Sequence, residues 1–183
     1  MEYTDTSLII EDKDLHIDRK TFVEIVNNQI KNDKILVGIS QLGYCIRAKR
    51  DIKKGEVIDT FCGSIIPFEE TKKAGEEECR ALQIGPNKYI NTEAPGRFVN
   101  HSCEPNAGIT NDLDLIAIED IPMHTEIRFD YSTTMDEDHY QMECKCGKPS
   151  CRKVVTDFKL LPEETRKRYL DLNIVMNFIK AQY

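Results

Sequence analysis

No apolar run in this 183-residue chain approaches the roughly 18 residues that cross a bilayer, so no membrane-spanning helix is expected. Glycine and proline are sparse, at 9 and 7 residues, and the apolar share is 40%. That composition predicts a folded core rather than extended disorder, and the length suits one domain with a small appendage. No internal repeat or low-complexity segment is present. Basic residues are outnumbered: 25 Lys plus Arg against 32 Asp plus Glu leave a formal net charge of −7. Nucleic-acid binding wants a basic face, so no direct nucleic-acid partner is expected. The acidity suits a basic protein partner, or solubility alone. The first twenty residues are acidic and lack a long apolar stretch, so no secretory signal is expected there.

What the chain does have is cysteine. Seven are present: Cys45, Cys62, Cys79, Cys103, Cys144, Cys146 and Cys151. An odd number without an export signal argues against a disulfide framework. It predicts an intracellular, reducing compartment with metal ligation or free thiols. No basic localisation cluster separates cytoplasm from nucleus. "CKCGKPSC" has metal-like spacing, Cys144-x-Cys146-x4-Cys151. Residues two apart in an extended chain point the same way, so two thiolates can reach one ion, and Gly147 and Pro149 suit the turn that returns Cys151. A closed tetrahedral zinc site needs a fourth ligand, for which Cys103 and His139 are the candidates. Cys45, Cys62 and Cys79 read as packing residues.

The middle of the chain is rich in short β-type runs. Residues 34–52 read as a strand, a turn at Gly43 and a second strand, and residues 55–66 as another β-type run after the Lys53-Lys54-Gly55 turn. Residues 113–121 and 125–132 are also β-like. The apolar residues of 21–30 fit a helix. From Pro162 onward, Tyr169, Leu172, Met176 and Ile179 recur at helical spacing, which predicts a C-terminal helix packed on the core. The expected fold class is mostly β with short helices.

"RFVNHSCEPNA", residues 97–107, does not fit a plain core strand, because it concentrates polar groups that need partners when buried. Followed by "EIRFDYS" and then "CKCGKPSCR", it resembles the SET-domain family of protein lysine methyltransferases with its post-SET cysteine motif. Upstream, "GYCIRAKRDIKKGEVI" is similar to the family's opening Gly-x-Gly segment, and "TFCGSII" to its Glu-Tyr-x-Gly-Glu strand. The resemblance runs from about Gly43 to Arg152, and the C-terminal tail is similar to that of compact, free-standing SET proteins.

The resemblance implies a β-clip-like fold with knot-like C-terminal threading. It divides the chain into a flanking region (1–36), a SET domain (37–132) and a post-SET zinc segment with a C-terminal helix (133–183). It implies S-adenosylmethionine as cofactor, held by Gly43, Tyr44, Cys45, Asn100 and His101, and one structural zinc on Cys103, Cys144, Cys146 and Cys151. It makes Tyr131 the catalytic tyrosine and places Phe129, Phe61 and Arg80 along the substrate channel, with Phe129 favouring higher methylation states. The implied substrate is a protein with an exposed lysine, a histone tail being the default. Taken without the resemblance, Tyr131 is an ordinary strand aromatic and His101 alone could serve as a general base; within the motif His101 reads as structural and cofactor-facing, and Asp130 as making a structural hydrogen bond.

Three positions depart from the family pattern. Cys45 replaces a glycine, Phe61 a tyrosine, and Arg80 stands where many members line the channel with tyrosine. They keep a second class open, a catalytically weak SET module that binds a partner or the cofactor. A zinc-stabilised interaction domain fits the cysteines alone but leaves "NHSC" and "FDY" unexplained.

Overall fold

The computed structural model describes residues 32–73, 75 and 80–183. The helix expected over 21–30, and Cys79, lie outside them. Small sheets dominate. A hairpin pairs β1 (Ile35–Ser40) with β2 (Gly43–Ala48), Gly38 facing Cys45 across the ladder. The turn lies at Gln41 and Leu42, and Gly43 enters β2 at φ 96°, a left-handed value that suits glycine. The expected β run after Gly55 divides into β3 (Val57–Thr60) and β4 (Gly63–Ile66). A four-residue helix follows, α1 (Phe68–Thr71). The sheet containing β4 is completed by β6 (Lys88–Thr92) at its centre and β5 (Ala81–Gly85) at the far edge. β3 joins β9 (Asp114–Ala117) and β8 (Ala107–Ile109) in a second three-stranded sheet.

Two very short pairs position the site. β7 (Asn100–His101) runs parallel to β10 (Arg128–Phe129), with Asn100 beside Arg128 and His101 beside Phe129. Parallel pairing needs a long connection, and residues 102–127, which include β8 and β9, supply it. β11 (Met142–Glu143) pairs antiparallel with β12 (Val154–Val155), closing the loop that carries three of the cysteines.

The β-like reading of 125–132 holds only as far as Phe129. Residues Tyr131–Thr134 form a 3-10 turn, because the Asp130 carboxylate accepts the Ser132 N–H and caps it. The C-terminal helix also differs from expectation. It is two helices, α2 (Glu163–Asp171) and α3 (Asn177–Lys180), separated by Asn173 at φ 56°. Ile174, Val175 and Met176 are all buried, and one helix face cannot bury three consecutive side chains. A break lets the chain turn inward, and the Met176 N–H reaches Thr133 O at 3.2 Å. Gly108 permits this approach: a Cβ there would lie 2.4 Å from Ile174. Ile46, Ile109, Leu115, Ile127, Phe158 and Tyr169 form part of the resulting core.

Candidate active site and cysteine cluster

One cavity, about 590 Å³ of space partly open to solvent, gathers the residues expected along a substrate channel. Phe61, Arg80, Phe129 and Tyr131 all line it, together with Tyr89 and Glu137. The aromatic wall is continuous: Phe61 meets Phe129 edge-on at 5.9 Å, and Phe129 meets Tyr131 at 4.9 Å between centroids. The Tyr131 hydroxyl donates to Val99 O at 2.8 Å, which fixes the ring. Gly96 keeps the wall in place, since a Cβ there would lie 2.9 Å from Phe61 Cδ1. Glu137 accepts from the Tyr89 hydroxyl, and at 3.2 Å from the Tyr140 N–H.

The segments expected to hold a cofactor meet beside this wall. Asn100 Nδ2 donates to Tyr44 O and to Glu126 Oε1, each at 3.0 Å, and Tyr44 packs on Phe98 at 5.0 Å. Residues 43–45 and 100–101 are therefore tied together although far apart in sequence. Cys45 is 0% exposed. Its cross-strand partner is Gly38, whose added Cβ would sit 3.8 Å from the Cys45 sulfur. That is ordinary van der Waals spacing, so the hairpin holds the Cys45 thiol without crowding. Burial raises the pKa of Cys45, so the thiol stays neutral. A Cβ on Gly43 would meet nothing within 4 Å, so open space lies beside this backbone.

Behind Tyr131 lies a buried polar network. The His101 Nδ1 accepts the Tyr131 N–H at 3.3 Å, so Nε2 carries the ring proton and faces Cys103 Sγ at 3.4 Å. Burial pushes the His101 pKa down to about 4, outweighing the nearby Asp130 charge, and the ring is neutral at pH 7. Asp130 forms a bidentate pair with Arg152, Nη1 and Nη2 each 2.8 Å from one carboxylate oxygen, and also accepts from Tyr169.

Cys103, Cys144, Cys146 and Cys151 bring their sulfurs within 4.8 Å of one another. Exposure alternates through 143–147, which points Cys144 and Cys146 the same way, as the x-spacing predicted. Gly147 at φ 71° and the Cys151 N–H bond to Lys148 O turn the chain back. His139 takes no part: it is exposed and stacks edge-on against Phe68 at 5.2 Å. The Cys103 and Cys144 sulfurs are 3.7 Å apart. A tetrahedron with metal–sulfur bonds of about 2.3 Å has an edge of about 3.8 Å, so the spacing fits a closed zinc site. Backbone N–H groups of Arg152 and Lys153 point at the sulfurs of Cys103 and Cys151, both at 3.4 Å, as donors around a metal thiolate do. Burial pushes Cys103 up to about 11 and raises Cys144, whereas Cys146 falls to about 7 because backbone and thiol donors outweigh its burial. Such a set ionises together only around a cation. Cys62, expected to be packed, is exposed instead.

Sequence reasoning missed Arg152, Tyr169 and Glu126. Arg152 directly follows Cys151 of the cysteine motif, a signal that was available. Tyr169 stood out only as part of a packing stripe, since nothing in helical spacing announces a hydroxyl partner.

The pattern of the SET domain matches residues 43–132. The chain is 30% identical over 155 residues to the variant-silencing SET domain-containing protein of Plasmodium falciparum, covering 73% of this chain and 6% of that protein. It is 32% identical over 136 residues to the human histone-lysine N-methyltransferase, H3 lysine-36 specific, covering 61% and 5%. It is 29% identical over 155 residues to the H3 lysine-9 specific dim-5 enzyme of Neurospora crassa, covering 60% and 47%. The chain thus spans less than half the length of each of these relatives. Its fold is similar to the methyltransferase domain of human SETMAR, with a TM-score of 0.52, 23% identity, and coverage of 67% of this chain and 58% of that one. Two rows of separate signals converge, the paired "NHSC" and "FDY" segments in space and the matched sequence along them: residues 43–132 are a SET domain, and the chain takes its place among the SET-domain proteins.

Proposed function

We propose that this protein transfers methyl groups from S-adenosylmethionine to the side-chain amine of lysine in a protein substrate, with a histone tail as the first candidate. One observation carries the reading. Tyr131 lines the same aromatic cavity as Phe61, Phe129 and Arg80, and its backbone is tied through His101 to the strand that also anchors residues 43–45. Histone-lysine methyltransferases among the relatives support it.

Gly43, Tyr44, Cys45, Asn100 and His101 would hold the cofactor, which supplies an electrophilic methyl group on a sulfonium. Tyr131 would be the catalytic residue, orienting the amine through its hydroxyl while its ring walls the channel. The nucleophile must be a neutral amine. A free lysine with pKa about 10.4 is neutral about one time in a thousand near pH 7.4, a cost of roughly 4 kcal/mol. The wall of Phe61, Phe129 and Tyr131 offsets part of it, because an apolar surround disfavours the ammonium. The Arg80 guanidinium acts in the same direction by repelling a cation, against the Glu137 carboxylate in the same cavity. Holding the amine in line then contributes through orientation. Phe129 at the wall, in place of a second phenol, favours repeated methylation.

Cys103, Cys144, Cys146 and Cys151 would hold one structural zinc, which leaves no open position for chemistry. The chain then divides into a flanking region (1–36), the SET domain (37–132) and a post-SET segment with its C-terminal helices (133–183). The site works in a reducing compartment, without a membrane or nucleic-acid partner.

The test is transfer of radiolabel from S-adenosylmethionine to a histone H3 tail peptide and to a panel of lysine-containing proteins. Label should appear on lysine, and Tyr131→Phe should lower turnover about a hundredfold. Measurable cofactor binding with no label on any substrate would instead identify a binding module.

A further inference from the structure

The helix α2 lies outside the matched segment, residues 43–132, yet it reaches the turn that carries Tyr131. Its Tyr169 is 0% exposed, and the hydroxyl donates to Asp130 Oδ2 at 2.9 Å. The Asp130 side chain is itself 0% exposed. Oδ2 also receives Arg152 Nη1 at 2.8 Å. Oδ1 receives Arg152 Nη2 at 2.8 Å and the Ser132 N–H at 3.2 Å. The last contact is the cap of the 3-10 turn that begins at Tyr131. One sealed carboxylate, adjacent to Tyr131 in sequence, is therefore held by the turn, by the residue after Cys151 and by a helix from the chain's end.

The two outer partners differ in stiffness. Arg152 ends a long side chain with several rotatable bonds, so its fork can turn together with the carboxylate it grips. Tyr169 has two torsions and sits on a helix whose neighbours are packed into the core. Its hydroxyl is the rigid reference for the carboxylate plane, and that plane decides whether Oδ1 faces the Ser132 N–H. A displacement of Tyr131 by a fraction of an ångström is costly to a reaction that depends on alignment.

We infer that Tyr169 is a positioning residue for the methyl-transfer site: acting through Asp130 and the Ser132 cap, its hydroxyl sets the place of Tyr131. The inference rests on the proposed methyltransferase reading for its catalytic readout. It assigns the C-terminal helix a part in the site, beyond packing.

The experiment compares the full chain with Tyr169→Phe, which keeps the ring and removes the hydroxyl. With a histone H3 tail peptide and S-adenosylmethionine, kcat should fall about tenfold, the scale of one hydrogen bond to a charged group. The KM of the peptide and the calorimetric Kd of the cofactor should stay within about twofold. In a Tyr131→Phe background the same change should cost less than about twofold, because the group it positions is already gone. Independently of turnover, amide hydrogen exchange over residues 131–135 should quicken at least about fivefold. An equal loss in both backgrounds, or unchanged exchange over 131–135, would overturn the inference. If Tyr169→Phe does not fold, Asp130→Asn, which keeps the shape of the group but weakens the acceptor of the Tyr169 hydroxyl, must show the same pattern, with the same overturning results. If the unmodified chain transfers no methyl group at all, the functional reading fails and the exchange measurement alone decides the role of Tyr169.

Discussion

Arg80 is the residue whose charge pulls two ways. It lines the cavity with Phe61, Phe129, Tyr131 and Glu137, so on the proposed reading a lysine entering there meets a guanidinium as well as a carboxylate. Repulsion weakens binding of the ammonium but also lowers the lysine pKa, which enriches the neutral nucleophile. Arg80→Leu should therefore lower the peptide KM. The rise of log kcat with pH should move to higher pH by about one unit, as expected for a charge several ångströms away in a medium of intermediate polarity. An unshifted pH profile would mean that Arg80 does not act on the bound amine. Cys45 is the contrasting case. As a replacement for glycine it adds a side chain to the segment proposed to hold the cofactor, yet that side chain is fully buried opposite Gly38. Where the thiol points depends on hairpin register, so the sequence motif alone could not display it.

At the level of elements, the cysteine loop is the piece most directly written in the chain. The x-spacing of Cys144 and Cys146 in extended backbone, and the turn through Gly147, appear in the fold as they read in the sequence. The choice between Cys103 and His139 was open until the structure put the Cys103 sulfur 3.7 Å from that of Cys144. Cys146→Ser should lower the metal content from about one zinc per chain, because a neutral hydroxyl replaces a thiolate ligand. Chelation of the unmodified protein should lower its thermal midpoint by several degrees, about what loss of a few kcal/mol does to a domain of this size. Unchanged metal content and midpoint would remove the zinc assignment. The C-terminal segment was legible as an apolar stripe but not as two helices. Its break answers to the close approach of Ile174 to Gly108 in β8 and of Met176 to the 3-10 turn, which helical periodicity does not encode.

For the molecule as a whole, acidity is the property that bears on partners. The net charge of −7 favours approach by a basic substrate over long range, even though Arg80 opposes a cation at close range. Raising the ionic strength should therefore reduce kcat/KM for a basic histone H3 tail peptide through slower association. A salt-independent rate would place substrate selection in the channel alone. The mostly β class, the cysteine spacing and the order of "NHSC", "FDY" and "CKC" were determined by the sequence itself, because each depends on residues close together in the chain. Only the tertiary structure decided that Phe61, Arg80, Phe129 and Tyr131 share one cavity, that Asn100 meets Tyr44, and that Tyr169 meets Asp130. These are contacts between distant segments, created by parallel pairing of two-residue strands and by packing of the chain's end, and local pattern carries no information about either.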